Sequence, residues 1–400
     1  MKASLRFVPS VLLLAAAGAL GCAEDGNPNP LETDGGGGTA GGDGGTSYAN
    51  GGPGTCQGTV KPTNAEFCGA SACTTTLDCA RSGQRPVEAC CVLVGEPGKG
   101  KNDRFLTRST DTKKYADPEG GPVDLSCFDP PYPPKPAAGS GTVTLTGIVE
   151  AFANGCDLVG VRVEVYTVKR TGDPATDGEL DQLVGTPIET DATSEEELED
   201  VKNCVDLRKN RRYSYPNVPM NTELVIKTSK VSQADSWATL YAYNVYVHAD
   251  DPDYDATAGT YHRDVQALAE DDFATIPTVA MGRTINPGNG AVGGEVHDCR
   301  NIRVQNARVD VSSPRLALTY FNADEDDPLP DTARDQIGTG RTGLYSALDI
   351  APGWIRVSAT GLVQEGGSEA LVSLGYFDAR IFPNSVTSVT LRGLRPFQVP

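Results

Sequence analysis

The sequence predicts an all-β protein with two tandem antiparallel Greek-key β-sandwiches, preceded by a small disulfide-rich segment and a disordered Gly-rich linker. Three observations predict this fold class. Apolar residues alternate with polar ones in short runs, as at Val161, Val163 and Val165, which is the period of a half-buried strand. Gly and Pro account for 45 and 28 of the 400 residues, and these residues punctuate turns between short strands. The same order of strand-like runs also occurs twice, over residues 147–228 and 293–361.

The two copies align along most of their length. The first copy reads TGIVEAFANGCDLVGVRVEVY from Thr146, and the second reads GGEVHDCRNIRVQNARVDV from Gly293. Further along, YSYPNVPMNTELVIKT from Tyr213 matches YSALDIAPGWIRVSAT from Tyr345. A repeat at domain scale indicates two units of one fold rather than one large sheet. We therefore predict one sandwich over residues 141–285 and a second over residues 286–400.

These motifs resemble the carboxypeptidase regulatory-like domain, a transthyretin-like (prealbumin-like) β-sandwich of many bacterial surface lipoproteins. The second copy carries the residues of the resemblance at Gly294, Ala307, Val309, Thr342, Gly343, Tyr345, Pro352 and Gly353. The first copy departs from the pattern, because it lacks the Thr-Gly pair before Tyr213 and has Met220-Asn221 in place of the Pro-Gly turn. The resemblance implies a non-catalytic module, and it specifies fold better than function.

Alternation and turn residues place the strands within each copy. In the first copy we predict strands over residues 142–152, 160–168, 182–189, 212–218, 223–230 and 238–248. In the second copy we predict strands over residues 291–298, 305–312, 315–321, 343–350, 354–360, 369–381 and 385–392. Two short helical pieces are also expected. Ser194 with Glu197 forms a capping pair in an acidic insertion, and residues 262–268 form a brief helical turn.

The N-terminus has the organisation of a secretory signal. Lys2 and Arg6 precede an apolar run over residues 7–20, which is too short for a membrane span. The run ends Ala-Leu-Gly-Cys at residues 19–22, which is similar to a bacterial lipobox. This similarity implies that Cys22 is acylated, palmitate included, and that membrane lipid is a partner through its acyl chains.

Cleavage and sorting follow from the same residues. We expect residues 1–21 to be removed as a lipoprotein signal peptide. The alternative is ordinary secretory cleavage after Ala19, which leaves Cys22 as a free thiol. Ala23 rather than Asp follows the cysteine, and by resemblance to lipoprotein sorting this implies the outer membrane or cell surface of a Gram-negative bacterium. Residues 22–55 hold the lipidated cysteine and a Gly-rich tether without an apolar face, so no core offsets its ordering entropy.

Eleven cysteines indicate an oxidising compartment. Residues 56–135 form a Cys-rich segment with a Pro-rich linker, and its seven cysteines are Cys56, Cys68, Cys73, Cys79, Cys90, Cys91 and Cys127. Their spacing does not match a zinc site, so we expect a disulfide knot whose connectivity the sequence leaves open. Cys156 and Cys204 are predicted to pair in the first sandwich. Cys299 then stands alone, unless it pairs with the odd cysteine of the knot.

Composition and motifs exclude several function classes. A net charge of −19 opposes binding to nucleic acid. No nucleotide-binding loop or zinc-peptidase helix is present, the three histidines are His248, His262 and His297, and no cofactor is expected. Asp251, Asp253 and Asp255 alternate as in a calcium loop but lack its Gly and terminal Glu. These carboxylates, and those in the loop at residues 322–327, are weak calcium candidates, and solvated loop charge is the simpler interpretation.

Three functions remain open. The first is a non-catalytic surface lipoprotein with a structural or adhesive role, whose partner is an envelope protein. The alternative is a carbohydrate-binding module, which requires exposed coplanar aromatics among Tyr241, Tyr243, Tyr246, Tyr320 and Trp354. The third is a hydrolase, which requires His262 or His297 beside a Ser and a carboxylate in a polar pocket.

Overall fold

The computed structural model describes residues 60–61, 105–110, 114–128, 141–194, 196–202, 204–205, 207–335, 337–365 and 368–393. The strands of these residues, in chain order, are β1 (Val60–Lys61), β2 (Thr107–Arg108), β3 (Thr142–Ala151), β4 (Val161–Val168), β5 (Leu180–Glu189), β6 (Glu196–Glu199), β7 (Arg208–Pro219), β8 (Glu223–Lys230), β9 (Trp237–Tyr246), β10 (Tyr254–Asp255), β11 (Thr260–His262), β12 (Val265–Ala269), β13 (Gly290–Glu295), β14 (Val304–Gln305), β15 (Arg308–Val311), β16 (Ala317–Tyr320), β17 (Leu344–Ile350), β18 (Gly353–Glu365), β19 (Ser368–Ile381) and β20 (Ser385–Val389). The α-helix of the described part, α1, spans Glu270–Met281. The chain is therefore all-β, as predicted.

The first sandwich forms around the alternating residues of its long strands. Strand β3 pairs antiparallel with β7, while β4 pairs antiparallel with β5 and β8. Because successive side chains of a strand point to opposite faces, every second residue enters the core. The inward residues of these strands include Val143, Leu145, Val149, Val161, Val163, Val165, Tyr215, Leu224 and Ile226.

The second sandwich repeats two of these pairings, that of β3 with β7 and that of β4 with β8. Strand β13 pairs antiparallel with β17, and β18 pairs antiparallel with β15 and β19. Its core includes Val292, Val309, Val311, Tyr345, Ile350, Ile355, Val357, Leu374, Phe377 and Val389. The register repeats as well, because Gly147 lies opposite Tyr213 in the first copy and Gly294 lies opposite Tyr345 in the second. The internal repeat of the sequence therefore corresponds to a repeat of strand pairing.

Strand β20 joins the two sandwiches, which the sequence did not predict. It pairs parallel with β13 of its own copy and parallel with β9 of the first copy, so one 14-stranded sheet runs through both copies. Val225 and Tyr243 of the first copy also pack into the second core. Parallel pairing also occurs at β11 and β12, which both pair with β3, and at β1, which pairs with β19. An alignment of the two copies shows which strands each copy contains, but it does not show which strand edges of one copy pair with those of the other.

Both short helices expected from the sequence are absent, and a helix occurs elsewhere. Residues 196–199 form β6 against β7, and residues 265–269 form β12, because pairing with a neighbouring strand outweighs a weak local preference. Helix α1 instead follows β12. Its first turn holds Glu270, Asp271 and Asp272, whose charges favour a helix N-terminus, and Gly282 ends it in the left-handed conformation.

Residues 105–110 and 114–128, here called the strap, pack against the second sandwich. Strand β2 pairs with β14, and the Leu106 side chain joins the second core. The Asp298 carboxylate accepts hydrogen bonds from Arg108 Nε at 2.7 Å and from the Asp124 backbone N–H at 3.0 Å. Cys127 is disulfide-bonded to Cys299. The described part of the Cys-rich segment is therefore fastened to the second copy.

Candidate binding cleft between the two sandwiches

A cleft of about 240 Å³ lies where the two sandwiches meet. Its floor is one face of the continuous sheet, and the contributing residues follow every second position of neighbouring strands. These floor residues are Leu240 and Ala242 of β9, Val386 and Ser388 of β20, Ala291 and Gly293 of β13, and Leu344, Ser346 and Leu348 of β17. Many of them are small, so the floor leaves room above it.

One wall of the cleft is apolar. Phe152 follows β3, and Phe273 and Ile276 come from α1. The rings of Phe152 and Phe321 meet edge to face at 6.1 Å between centroids, which is a favoured aromatic geometry. Helix α1 thus covers the cleft with its apolar residues, although the sequence did not predict the helix.

The strap closes the polar end of the cleft. Lys114 Nζ lies 3.0 Å from both carboxylate oxygens of Glu150 and 3.4 Å from Asp264 Oδ2. Burial raises the pKa of the Glu150 carboxyl above its usual range, although Lys114 acts in the opposite direction. The strap therefore contributes a cation to carboxylates that belong to the first sandwich.

A second charged group at this end surrounds His297. Its Nε2 lies 2.6 Å from Glu295 Oε2 and its Nδ1 lies 2.7 Å from Asn301 Oδ1. Arg303 donates to Glu295 at 2.8 Å and to Glu325 at 2.9 Å. Although burial acts against it, Arg303 and His297 hold the pKa of Glu295 well below its usual range. The imidazole is 1% exposed. Each of its two ring nitrogens is within hydrogen-bond distance of a side-chain oxygen.

This arrangement bears on the hydrolase hypothesis. The predicted carboxylate does lie beside His297, but the hydrogen-bond partners of its ring in the described part of the chain are Glu295 and Asn301. Ser346, which lines the same cleft, donates to the backbone oxygen of Val292 at 3.3 Å. A general base needs a free nitrogen within reach of the proton it removes. The geometry around His297 is that of a buried structural network.

The structure places four of the predicted cysteines. Cys156 is bonded to Cys204 and Cys127 to Cys299, so the partner of Cys299 is the odd cysteine of the knot, which the sequence had left as an alternative. Cys22 and the remaining six knot cysteines lie outside the described residues, and those cysteines are Cys56, Cys68, Cys73, Cys79, Cys90 and Cys91.

The calcium candidates engage protein donors. Asp251 Oδ2 accepts from the Tyr261 hydroxyl at 2.8 Å, and Asp255 Oδ1 accepts from the Thr257 backbone N–H at 2.8 Å. Burial raises the pKa of Asp253, and the Asp251 charge adds to this effect. Across the part of the chain that the structure describes, no three His, Cys, Asp or Glu residues converge as metal ligands.

The aromatic residues required for glycan binding are mostly internal. Tyr243, Tyr246 and Tyr320 are buried. Tyr241 is half-buried and stacks on Phe382 with 4.1 Å between ring centroids, and Trp354 is half-buried near Arg356. The coplanar exposed pair that motivated the glycan hypothesis does not form among these five residues.

Sequence reasoning missed the cleft itself. Its charged residues include Lys114 of the strap, Glu150 of β3 and Asp264 of the loop that precedes β12. These residues are far apart in the chain and share no local motif. Only the repeat contained a partial signal, since both copies place a charged residue near the end of their first strand, at Glu150 and at Glu295 or His297.

Comparison with known proteins adds little. No protein-family model matches this sequence, and no curated protein matches it. Among solved structures, one similar chain is a double mutant of the shaft pilin SpaA from Lactobacillus rhamnosus GG, at 11% identity over 62% of this chain and 96% of that chain. The TM-score is 0.17, a value at which the likeness carries no argument. In the described part of the chain, no helix is long and apolar enough to cross a membrane.

Proposed function

We propose that this chain is a non-catalytic lipoprotein of the outer membrane or cell surface of a Gram-negative bacterium, with a structural or adhesive role. Acylated Cys22 anchors it, the Gly-rich tether separates it from the membrane, and two carboxypeptidase regulatory-like sandwiches form its folded body. The lipobox-like residues 19–22 and the cysteine usage of the chain support the anchor and the oxidising compartment.

The observation that carries the structural role is the join at β20. This strand hydrogen-bonds to both copies, so the two sandwiches do not depend on a flexible linker for their connection. Side chains reinforce the join. Arg380 donates to the backbone oxygens of Ala175 at 2.9 Å and Asp177 at 3.2 Å, and Asn244 Nδ2 donates to Thr390 O at 2.7 Å. Two modules connected in this way transmit load without bending at a hinge.

The arrangement of His297 supports the non-catalytic part of the proposal. Both ring nitrogens face oxygen atoms, and the ring is buried under Tyr115 at 5.0 Å between centroids. The other two histidines lie beside aspartates, His248 at 3.7 Å from Asp251 and His262 at 3.3 Å from Asp264. These contacts join each histidine to a carboxylate or amide oxygen, so none of them pairs a nucleophile with its base.

Metabolic labelling with an alkyne analogue of palmitate tests the anchor. We expect label on the wild-type protein and its recovery in outer-membrane fractions. Cys22→Ala is expected to lose both, whereas Cys56→Ala keeps the label and serves as the matched control for loss of one cysteine. Equal labelling of wild type and Cys22→Ala contradicts the lipid anchor.

The structural or adhesive role is tested separately in cells. Crosslinking on intact cells is expected to join the wild-type protein to an envelope partner, and a deletion strain is expected to lose cell adhesion or envelope integrity. Restoration is expected from the wild-type gene but not from Cys22→Ala. A deletion strain with unchanged adhesion and detergent resistance contradicts this role, whatever the labelling shows.

A further inference from the structure

The polar end of the cleft holds an ammonium group that comes from a different segment. Glu150 belongs to β3 and Asp264 directly precedes β12, so both carboxylates are fixed by the first sandwich. Lys114 belongs to the strap, and its side chain is 42% exposed, against 15% for Glu150. Both oxygens of Glu150 lie 3.0 Å from its Nζ. The carboxylates therefore form an ammonium site on the first sandwich, and Lys114 reaches this site from the strap with a long and more exposed side chain.

The apolar wall begins beside this ammonium site. Glu150 and Phe152 are two residues apart and both line the cleft, as expected for one face of an extended chain, where such residues are about 7 Å apart. Phe273 and Ile276 of α1 continue the wall. The open volume of about 240 Å³ over the small floor residues is enough for a compact apolar body. A ligand that fits both the ammonium site and the apolar wall has its charged group about two or three bonds from its apolar group.

Charge favours a cation at this position. The cleft is lined by seven carboxylates, among them Glu150 and Asp264, and by five basic side chains, among them Lys114. The chain as a whole carries a net charge of −19, and such a field draws cations toward the protein. A cation with an apolar body therefore complements the cleft better than an anion does.

We propose that the cleft binds an amphipathic primary amine, whose ammonium replaces that of Lys114 between Glu150 and Asp264 and whose apolar body lies against Phe152 and α1. Lys114 then acts as a tethered competitor that fills the site in the free protein. The proposal depends on the cleft and not on the membrane anchor, so it stands or falls separately from the proposed function.

Calorimetric titration with phenethylamine tests the proposal, and phenethyl alcohol and hydrocinnamate are the matched neutral and anionic probes. We expect heat of binding from the amine alone. Lys114→Ala is expected to strengthen amine binding about 2- to 5-fold, because it removes a competing ion pair of ordinary exposed strength. Lys202→Ala removes another exposed lysine, one that pairs with Asp324, and is expected to leave the affinity unchanged.

Two further variants test the Glu150 carboxylate and the open volume above the floor of the cleft. Glu150→Gln is expected to weaken amine binding about 10-fold, the loss typical of a removed charge-assisted partner. Ser388→Leu fills the floor and is expected to weaken binding while leaving the melting temperature near that of the wild type, so it keeps the test valid if Glu150→Gln fails to fold. The proposal is overturned if the alcohol binds as tightly as the amine, if Lys114→Ala does not gain affinity, or if neither wild type nor Lys114→Ala binds the amine.

Discussion

A Gly–Tyr pair recurs at the same position in both copies. The Tyr213 hydroxyl donates to the backbone oxygen of Arg263, and the Tyr345 hydroxyl donates to that of Val389 at 2.6 Å. A Cβ on Gly147 or Gly294 would overlap those same oxygen atoms. The glycine thus allows the parallel strand to approach, and the tyrosine opposite it fixes that strand by a hydrogen bond. Glycine therefore occurs at this position in both copies, because any Cβ there would overlap the facing backbone oxygen.

Gly294→Ala tests the close approach. The added Cβ would force β20 away from β13, so we expect the free energy of unfolding to fall by about 3 kcal/mol, the upper range for overpacking. Gly293→Ala is the matched control, because its Cβ would meet Tyr345 O at 3.2 Å and Ser346 Oγ at 3.7 Å, which small shifts accommodate. Urea denaturation measures both variants, and an equal loss in the two would contradict the explanation.

Glu295 predicts a pH dependence of stability. Because Arg303 and His297 hold its folded pKa below the unfolded value, its contribution is complete above the unfolded pKa of about 4.3 and is lost as pH falls toward the folded pKa. Glu295→Gln is expected to cost about 3 kcal/mol at neutral pH, since it removes one of the two carboxylates that pair with the buried Arg303 guanidinium. The difference in the free energy of unfolding between the variant and the wild type should become smaller below a pH of about 4.

Urea midpoints measured from neutral to acidic pH give this difference directly. Glu119 is exposed, so Glu119→Gln is the control and is expected to show little difference at any pH. A Glu295→Gln difference that stays constant as pH falls would show that the ionised carboxylate is not the source of the stabilisation.

At the scale of elements, the strap is held by a disulfide and by strand pairing. The Cys127–Cys299 bond spans 172 residues, and the Cys156–Cys204 bond spans 48. In the chain-entropy description, a closed loop of the longer kind stabilises by about 5 kcal/mol and one of the shorter kind by about 4 kcal/mol. The longer bond also fastens the segment that carries Lys114 and Tyr115 to the cleft.

Replacing both Cys127 and Cys299 by Ser is expected to lower the free energy of unfolding by up to about 5 kcal/mol. We also expect faster amide hydrogen exchange in residues 105–110 and 114–128, because only non-covalent contacts, such as the pairing of β2 with β14 and the hydrogen bonds to Asp298, then hold the strap. Replacing Cys156 and Cys204 by Ser is the control, which should destabilise the protein without changing exchange in the strap. Unchanged strap exchange in the first variant would contradict the role of the bond.

At the scale of the whole molecule, β20 makes the two sandwiches one sheet. Thr387 lies in the middle of β20, fully buried, opposite Tyr241 of the first copy and Val292 of the second. Because the two copies share hydrogen bonds and a core that includes Val225 and Tyr243, opening one exposes the other. The two sandwiches are therefore not independent domains joined by a flexible linker.

Calorimetry of the wild-type protein is expected to show one cooperative transition for both sandwiches. Thr387→Pro removes a backbone donor from a central strand and is expected to cost about 3 kcal/mol or more. It should speed hydrogen exchange in β9 as well as in β13. Thr387→Val keeps the backbone donor and isolates loss of the hydroxyl bond to Arg380 O. Two separate transitions in the wild type would contradict a shared sheet.

Strand positions were predictable because their signal is local. Alternation at Val161, Val163 and Val165 predicts a strand whichever surface the strand packs against. The repeat adds support for those strands that have a counterpart in the other copy. Helix α1 was missed because turn residues and Pro277 obscure its period, and residues 262–268 were assigned to a helix because their pairing with β3 leaves no trace in their own sequence. The cleft was not predictable, since its residues meet only after the strap and both sandwiches have packed.

By itself, the sequence determined the all-β class, the duplication and the pairing of Cys156 with Cys204, because alternation, repetition and cysteine number act within one copy. Tertiary structure alone decided that β20 inserts between the copies, that Cys127 reaches Cys299, and that Lys114 meets Glu150 and Asp264 beside an apolar wall. Those contacts join segments far apart in the chain. Their energy depends on which strand edges and surfaces meet in space, and no pattern within a single segment records that choice.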